Sequence, residues 1–189
     1  MRYPWANTVL LILLTAQLFT GVGALLSGAE RSQWVIWLHI LGAYAVVVVL
    51  FWKGAVIIRA IRRRPAVTAS RAGFLLLAGL LLMTLAAGFL WSYSGPYYIG
   101  GFTLITIHGF LAAITFLVMV WHVLVKRVIF RVPKAYDRRA FLRLGGISLA
   151  GLFLWLADRP VQAAFGLPGA ARRFTGSYEI GSFTGAFPL

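Results

Sequence analysis

Residues 106–131 read TIHGFLAAITFLVMVWHVLVKRVIFR, an apolar run long enough to cross a bilayer, for which a helix needs about 20 residues. The run carries two of the chain's three histidines, His108 and His122, fourteen positions apart. At about 100° and about 1.5 Å per residue, fourteen steps bring a side chain back to within roughly 40° of the same face and move it about 21 Å along the axis. One helix would therefore hold two imidazoles in line, one toward each membrane surface. An imidazole in hydrocarbon is costly and marks a functional site by default, and its neutral ring is a good iron ligand.

An earlier segment repeats the pattern. HILGAYAVVVVLFWKGAVIIRAIRRRP from His39 lies over HGFLAAITFLVMVWHVLVKRVIFRVP from His108. His39 falls on His108, Trp52 on Trp121, and Lys53 on His122, and the closing basic-then-proline stretches coincide within one residue. The preceding segments correspond loosely, TGVGALLSG ending at Gly28 against TLAAGFLWSYSG ending at Gly95. Two Leu-, Val- and Ala-rich helices can agree by chance. Agreement that extends to His, Trp and the charged ends points to two copies of a helix hairpin within residues 1–133.

Composition sets the class. Of 189 residues 61% are hydrophobic and 12% charged, whereas a soluble domain carries roughly a quarter charged. The chain reads as an all-α integral membrane protein. A net charge of +14 would suggest nucleic acid in a soluble protein; here the basic residues lie between apolar runs, where they set orientation and meet anionic lipid heads. Cysteine is absent, which excludes disulfides, iron–sulfur clusters, thiolate ligation and covalent CxxCH haem attachment.

Five spans are expected: Asn7 to Ser27, read as a retained helix and not a cleaved signal, Trp34 to Arg59, Gly73 to Trp91, Phe102 to Phe130, and a fifth ending at Asp158. SYSGPYYIGG between the third and fourth is a Gly-, Pro- and Tyr-rich turn. Arg2, the five arginines of the 59–71 loop and the seven basic residues from Lys126 to Arg143 put thirteen cations on one side; Arg31, Arg159, Arg172 and Arg173 put four on the other. Positive residues near span ends stay in the cytoplasm, so the amino terminus is expected inside and the two short turns outside. His39 and His108 then lie at one depth near the outer surface, with Lys53 and His122 matched near the inner one.

Two imidazoles at one depth on facing helices can clamp a haem iron from both sides. Small residues such as Gly42, Ala43, Gly109, Ala112 and Ala113 would leave room for the macrocycle. The plainer reading is that each histidine only hydrogen-bonds a neighbouring helix; depth matching inside a duplicated hairpin favours the haem. Histidines spaced thirteen or fourteen apart on two helices of a four-helix bundle resemble the dihaem scaffold of membrane b-type cytochromes, including cytochrome b and ferric-reductase-like proteins, over about residues 7–131. The resemblance implies that His39 and His108 ligate an outer haem b and that His122 matches one ligand of an inner haem. Lys53 stands where the fourth histidine would be, so the expectation is one haem, with two possible if Lys53 or another group completes the inner pair. A quinone with His122 as proton partner is the other occupant considered for the inner cavity.

Behind the bundle, Asp137-Arg138-Arg139-Ala140-Phe141-Leu142-Arg143 followed by LGGISLAGLFLWLA resembles a twin-arginine export signal. Read plainly, it opens the fifth span, and both readings give one topology. ARRFTGSYEIGSFTGAFPL resembles the opening of sulfite-oxidase-like molybdopterin oxidoreductases, which implies a catalytic part on a separate polypeptide or a tail that docks on another subunit. The expected organisation is a cytochrome b-like bundle over 1–133, the twin-arginine-like segment and fifth helix over 134–158, and an extended extracytoplasmic arm over 159–189.

The four acidic residues, Glu30, Asp137, Asp158 and Glu179, are all placed outside the membrane core, which argues against a carboxylate-driven pump. No phosphate loop, HExxH or nucleophile elbow occurs, and the glycines from Gly145 to Gly151 read as helix packing. The resulting expectation is a non-catalytic electron-transfer subunit of the bacterial cytoplasmic membrane. Surrounded by lipid, it would pass electrons between quinone pool or internal haem and an outer redox partner that docks at Tyr93, Tyr97, Tyr98 and the tail. The rival expectation is a structural or pigment-binding subunit of a respiratory or photosynthetic complex, with one axial bond per pigment.

Overall fold

The computed structural model describes residues 4–26, 30–63, 69–126 and 138–171. Five helices account for nearly all of them: α1 (Pro4–Leu26), α2 (Gln33–Arg63), α3 (Ala69–Ser94), α4 (Leu104–Lys126) and α5 (Arg138–Ala164). Each contains a stretch long and apolar enough to cross a membrane, and with no water in the hydrocarbon a helix is the form that satisfies its own backbone. The side chains facing outward agree: Phe51 is 87% exposed and Leu26 82%, positions a soluble protein would cover. The protein is an all-α chain with five candidate membrane spans.

α1 packs along α2 and α3 along α4, so each sequence-predicted hairpin is one packed unit, while α5 lies on α2. At the end where α1, α3 and α5 finish, a small two-stranded hairpin pairs β1 (Tyr98–Ile99) with β2 (Phe102–Thr103). Gly100 and Gly101 form its turn at φ of 58° and 86°, the doubly left-handed geometry that Gly-Gly supplies. Thr103 Oγ1 then accepts from the Thr106 amide at 3.3 Å, capping the start of α4. This is called the hairpin end below. The opposite, basic end carries the exposed Arg62, Arg138 and Arg139.

Apolar contacts and short polar clasps hold the helices together. Ala6, Val49 and Ile147 join α1, α2 and α5 near the basic end. Thr84 and Thr115 meet at 3.0 Å between α3 and α4, and each also bonds its own helix, at Leu80 and Leu111. Gly151 lies against the Ala45 backbone between α5 and α2, the close approach that small residues allow. Gly145 and Gly146 face open space, so of that glycine set one member makes the contact.

The carboxyl-terminal boundary differs from expectation. α5 does not stop at Asp158 but runs through Pro160 to Ala164. It then ends on Gly166 at φ 60°, with Leu167 N donating to Gln162 O at 2.9 Å and Gly166 N to Ala163 O at 3.1 Å, a Schellman cap. A short 3₁₀ turn, Pro168–Ala171, folds back on α3, so this part of the predicted arm is packed. The cause is Asp158 and Gln162, four residues apart and both buried in the bundle, which hold the last turns in place while Pro160 is exposed. Residues 172–189, with the molybdopterin-oxidoreductase-like stretch, lie outside the described residues, as does Asp137 of the twin-arginine-like motif.

A cysteine-free chain makes the span count directly measurable. In sealed vesicles, single Ile99→Cys and Ala170→Cys variants are expected to react with a membrane-impermeant maleimide from one side and Arg62→Cys from the other. Labelling of Ile99→Cys and Arg62→Cys from the same side would contradict the fold.

Candidate functional site

His39 enters from α2 and His108 from α4, both near the hairpin end, and their ring centroids stand 6.0 Å apart with the planes at 89°. Both are half-buried. With metal–imidazole bonds of about 2.0–2.1 Å, two rings gripping one metal from opposite sides stand roughly 6.3 Å apart. An ordinary edge-to-face contact also falls near this distance, so spacing alone does not separate ligation from packing.

The hydrogen bonds show how each ring is held. His108 Nδ1 lies 2.8 Å from the Thr84 carbonyl oxygen, which can only accept, so Nδ1 carries the proton and Nε2 the lone pair. Nδ1 of His39 lies 3.2 Å from Thr20 Oγ1. That hydroxyl also reaches the Ala16 carbonyl at 2.8 Å and the Gln17 carbonyl at 3.3 Å, so the His39 ring nitrogen donates to Oγ1 in one tautomer and accepts from it in the other. Both imidazoles are therefore held by Nδ1 to the companion helix of their own hairpin, and in His108 this leaves Nε2 as an electron-pair donor. This is the arrangement by which an outer partner orients a ligating histidine.

Each ring also rests on a glycine of the companion helix. A methyl group on Gly21 of α1 would come within 3.1 Å of His39 Cε1, and one on Gly88 of α3 within 3.0 Å of His108 Cε1 and Nδ1. The two hairpins therefore hold their histidines by the same device, a small residue under the ring and an oxygen on Nδ1.

The other predicted residues are placed differently. Gly42 does not open a cavity: the Gln17 amide occupies the space its missing side chain leaves. Gly109 faces open space with nothing within 4 Å. Lys53 Nζ donates to Asn7 Oδ1 between α2 and α1, and His122 is half-buried on α4, some 21 Å along the helix from His108. Since the chain has three histidines and two meet at the hairpin end, His122 has no imidazole counterpart. A groove of about 540 Å³ runs between α1 and α4, walled by Leu11, Thr15, Phe19, Phe116, Met119 and Val123 among others. His122 is not part of its wall, so the pairing of a quinone cavity with His122 is not what this groove provides. Tyr97 and Tyr98 are exposed on the hairpin, whereas Tyr93, expected with them, turns inward to Asp158. Asp158, expected outside the core, is buried within the fifth span.

Sequence reasoning missed Thr20, Gly21, Thr84 and Gly88. The repeat contained the signal, since the segments aligned ahead of the two histidines hold these four residues. Among the described residues no group of three or more His, Cys, Asp or Glu gathers. A metal held here would have two protein ligands and would need the rest of its coordination from a cofactor. Fold and site together define a five-helix membrane bundle with one cross-helix histidine pair. Compared with known protein families, characterised proteins and solved structures, the chain finds no match.

The glycine contacts make a contrast that unfolding can read. Gly21→Leu and Gly88→Leu are each expected to lower stability in detergent by about 1–3 kcal/mol through overpacking against the rings. Gly109→Ala should be neutral or stabilising by up to about 1 kcal/mol, because it replaces a helical glycine facing open space. Equal effects at all three positions would mean that the rings are not seated on Gly21 and Gly88.

Proposed function

We propose that the protein binds one haem b between His39 and His108 and acts as the electron-transfer subunit of a membrane oxidoreductase complex. The observation that carries this reading is the 6.0 Å pair of imidazoles, each held through Nδ1 by the companion helix of its own hairpin. When bound, haem b supplies a one-electron ferric/ferrous couple. Thr20 and the Thr84 carbonyl hold the rings in orientation, Gly21 and Gly88 let them lie close to the companion helices, and the apolar bundle keeps water away. Held by two imidazoles, the group would exchange electrons and not bind substrate, so the function these residues support is electron transfer.

Charge distribution orients the site in this reading. With the arginine-rich loops cytoplasmic, the histidine pair lies toward the outer face. Tyr97, Tyr98, Ile99 and Phe102, all exposed on the hairpin, flank it where a redox partner would dock, and the membrane quinone pool is the other electron exchanger. The engagement of Lys53 by Asn7 favours a single haem over two. A pair of separate pigments, each with its own axial histidine and macrocycle, is disfavoured because 6.0 Å leaves room for one metal between the rings.

Haem counting and visible spectroscopy test the assignment. The purified protein is expected to give about one haem b per polypeptide and a b-type reduced-minus-oxidised spectrum. That spectrum should be lost or converted in His39→Ala and His108→Ala and retained in Lys53→Met. A band unchanged in both histidine variants would overturn the ligand set; loss of half the haem in Lys53→Met would show a second site.

A further inference from the structure

The two helix hairpins, α1 with α2 and α3 with α4, each bring one histidine to the site, and each holds its own ring by a bond inside the hairpin. Those bonds orient the rings but do not fix how far apart the hairpins stand. Where α1 passes α4, the seam between them is opened by the apolar groove, and helices in lipid gain little from pressing one apolar face on another. The 6.0 Å spacing of the pair therefore depends on a group that grips both hairpins near their hairpin end.

α5 supplies that grip. Its Asp158 is buried, and Oδ1 accepts from Tyr44 Oη of α2 at 2.7 Å and from Tyr93 Oη of α3 at 2.9 Å. One carboxyl oxygen thus holds a side chain from each hairpin, and the two phenol oxygens lie 3.0 Å apart. Gln162, one turn further along α5, donates Nε2 to the same oxygen at 2.8 Å. Buried polar bonds of this kind stiffen a core and select one arrangement of it.

The rest of the segment makes the same crossing. α5 lies along α2, with Trp155 against Trp37 at 6.4 Å and Gly151 against the Ala45 backbone. The 3₁₀ turn that follows packs on α3, where Pro168 rests on Gly95 and Gly169 leaves room for the Ser92 carbonyl. Residues 151–171 therefore form a strap from one hairpin to the other. It passes close to the histidines: Tyr44 is five positions from His39 on α2, and its ring lies 5.4 Å from Phe89, the neighbour of the Gly88 that supports His108.

We propose that Asp158 is the positioning residue of the site: by holding Tyr44 of one hairpin and Tyr93 of the other on a single oxygen, it sets the separation of His39 and His108. The inference rests on the function proposed above. It gives α5, which brings no histidine, a part in cofactor binding, because the pair reaches its spacing only when the fifth helix is seated.

The chain has no cysteine, so the gap between the hairpins can be read with spin labels on Trp34→Cys of α2 and Leu90→Cys of α3, both exposed. Pulsed electron paramagnetic resonance of the full chain, with and without haem, is expected to give one narrow distance distribution. Asp158→Asn should keep it, since the amide oxygen still accepts from both phenols. Asp158→Leu should lengthen and broaden it, and so should Tyr44→Phe combined with Tyr93→Phe, which keeps the ring packing on Phe89 and decides the matter if the leucine variant does not assemble. Haem titration should follow the labels, with binding roughly tenfold weaker in the leucine and double-phenylalanine variants, as when the outer support of a ligand is lost, and near the parent value in Asp158→Asn. A purely structural role would lower the melting temperature of these variants while leaving label distance and haem affinity unchanged, and that result overturns the inference. Labels that move apart in a chain that takes up no haem uphold the tie and overturn the haem assignment alone.

Discussion

A polar side chain inside an apolar medium must find a partner within the protein, and this constraint organises the bundle. Each polar residue among the spans that shapes the site is answered from another helix: His39 by Thr20, His108 by the Thr84 carbonyl, Thr84 by Thr115, Lys53 by Asn7, and Asp158 by Tyr44 and Tyr93. Helices in lipid gain little from burying leucine against leucine, so such clasps and the close contacts of small residues carry much of the specificity of packing. The same bonds that join α1 to α2 and α3 to α4 also hold the two imidazole rings in place, so assembly and preparation of the site are one event.

The two helix hairpins solve the problem alike at one end and differently at the other. At the hairpin end both present a histidine seated on a glycine of the partner helix and held at Nδ1. Toward the basic end the correspondence breaks: His122 on α4 aligns in sequence with Lys53 on α2, and Lys53 donates to Asn7 at the start of α1. One end brings two histidines together, and toward the other Lys53 makes an interhelical hydrogen bond. α5 belongs to neither copy, and it brings the buried carboxylate that the hairpins lack.

Much of this was legible in the sequence, for identifiable reasons. Five apolar runs and the fourteen-residue histidine spacing follow from helix periodicity, which is local. Depth matching of His39 and His108 followed from the repeat and the short turns. Gly42 was misread because which neighbour fills the space beside a glycine depends on helix crossing, and the Gln17 amide is brought there by the α1–α2 contact. Gly21 and Gly88 stayed hidden for the same reason. The end of α5 was misread because Asp158, Arg159 and Pro160 together resemble a boundary. The structure shows instead a helix whose Asp158 turns inward to partners 65 and 114 positions away in sequence, and no local pattern encodes that.

The central claim is that two imidazoles from different hairpins hold one iron. Low-temperature electron paramagnetic resonance of the oxidised protein tests it most directly. The account predicts a low-spin ferric haem signal in the wild type that disappears when either His39 or His108 is replaced by alanine. A high-spin wild-type signal, or a low-spin one that persists in both variants, would contradict it.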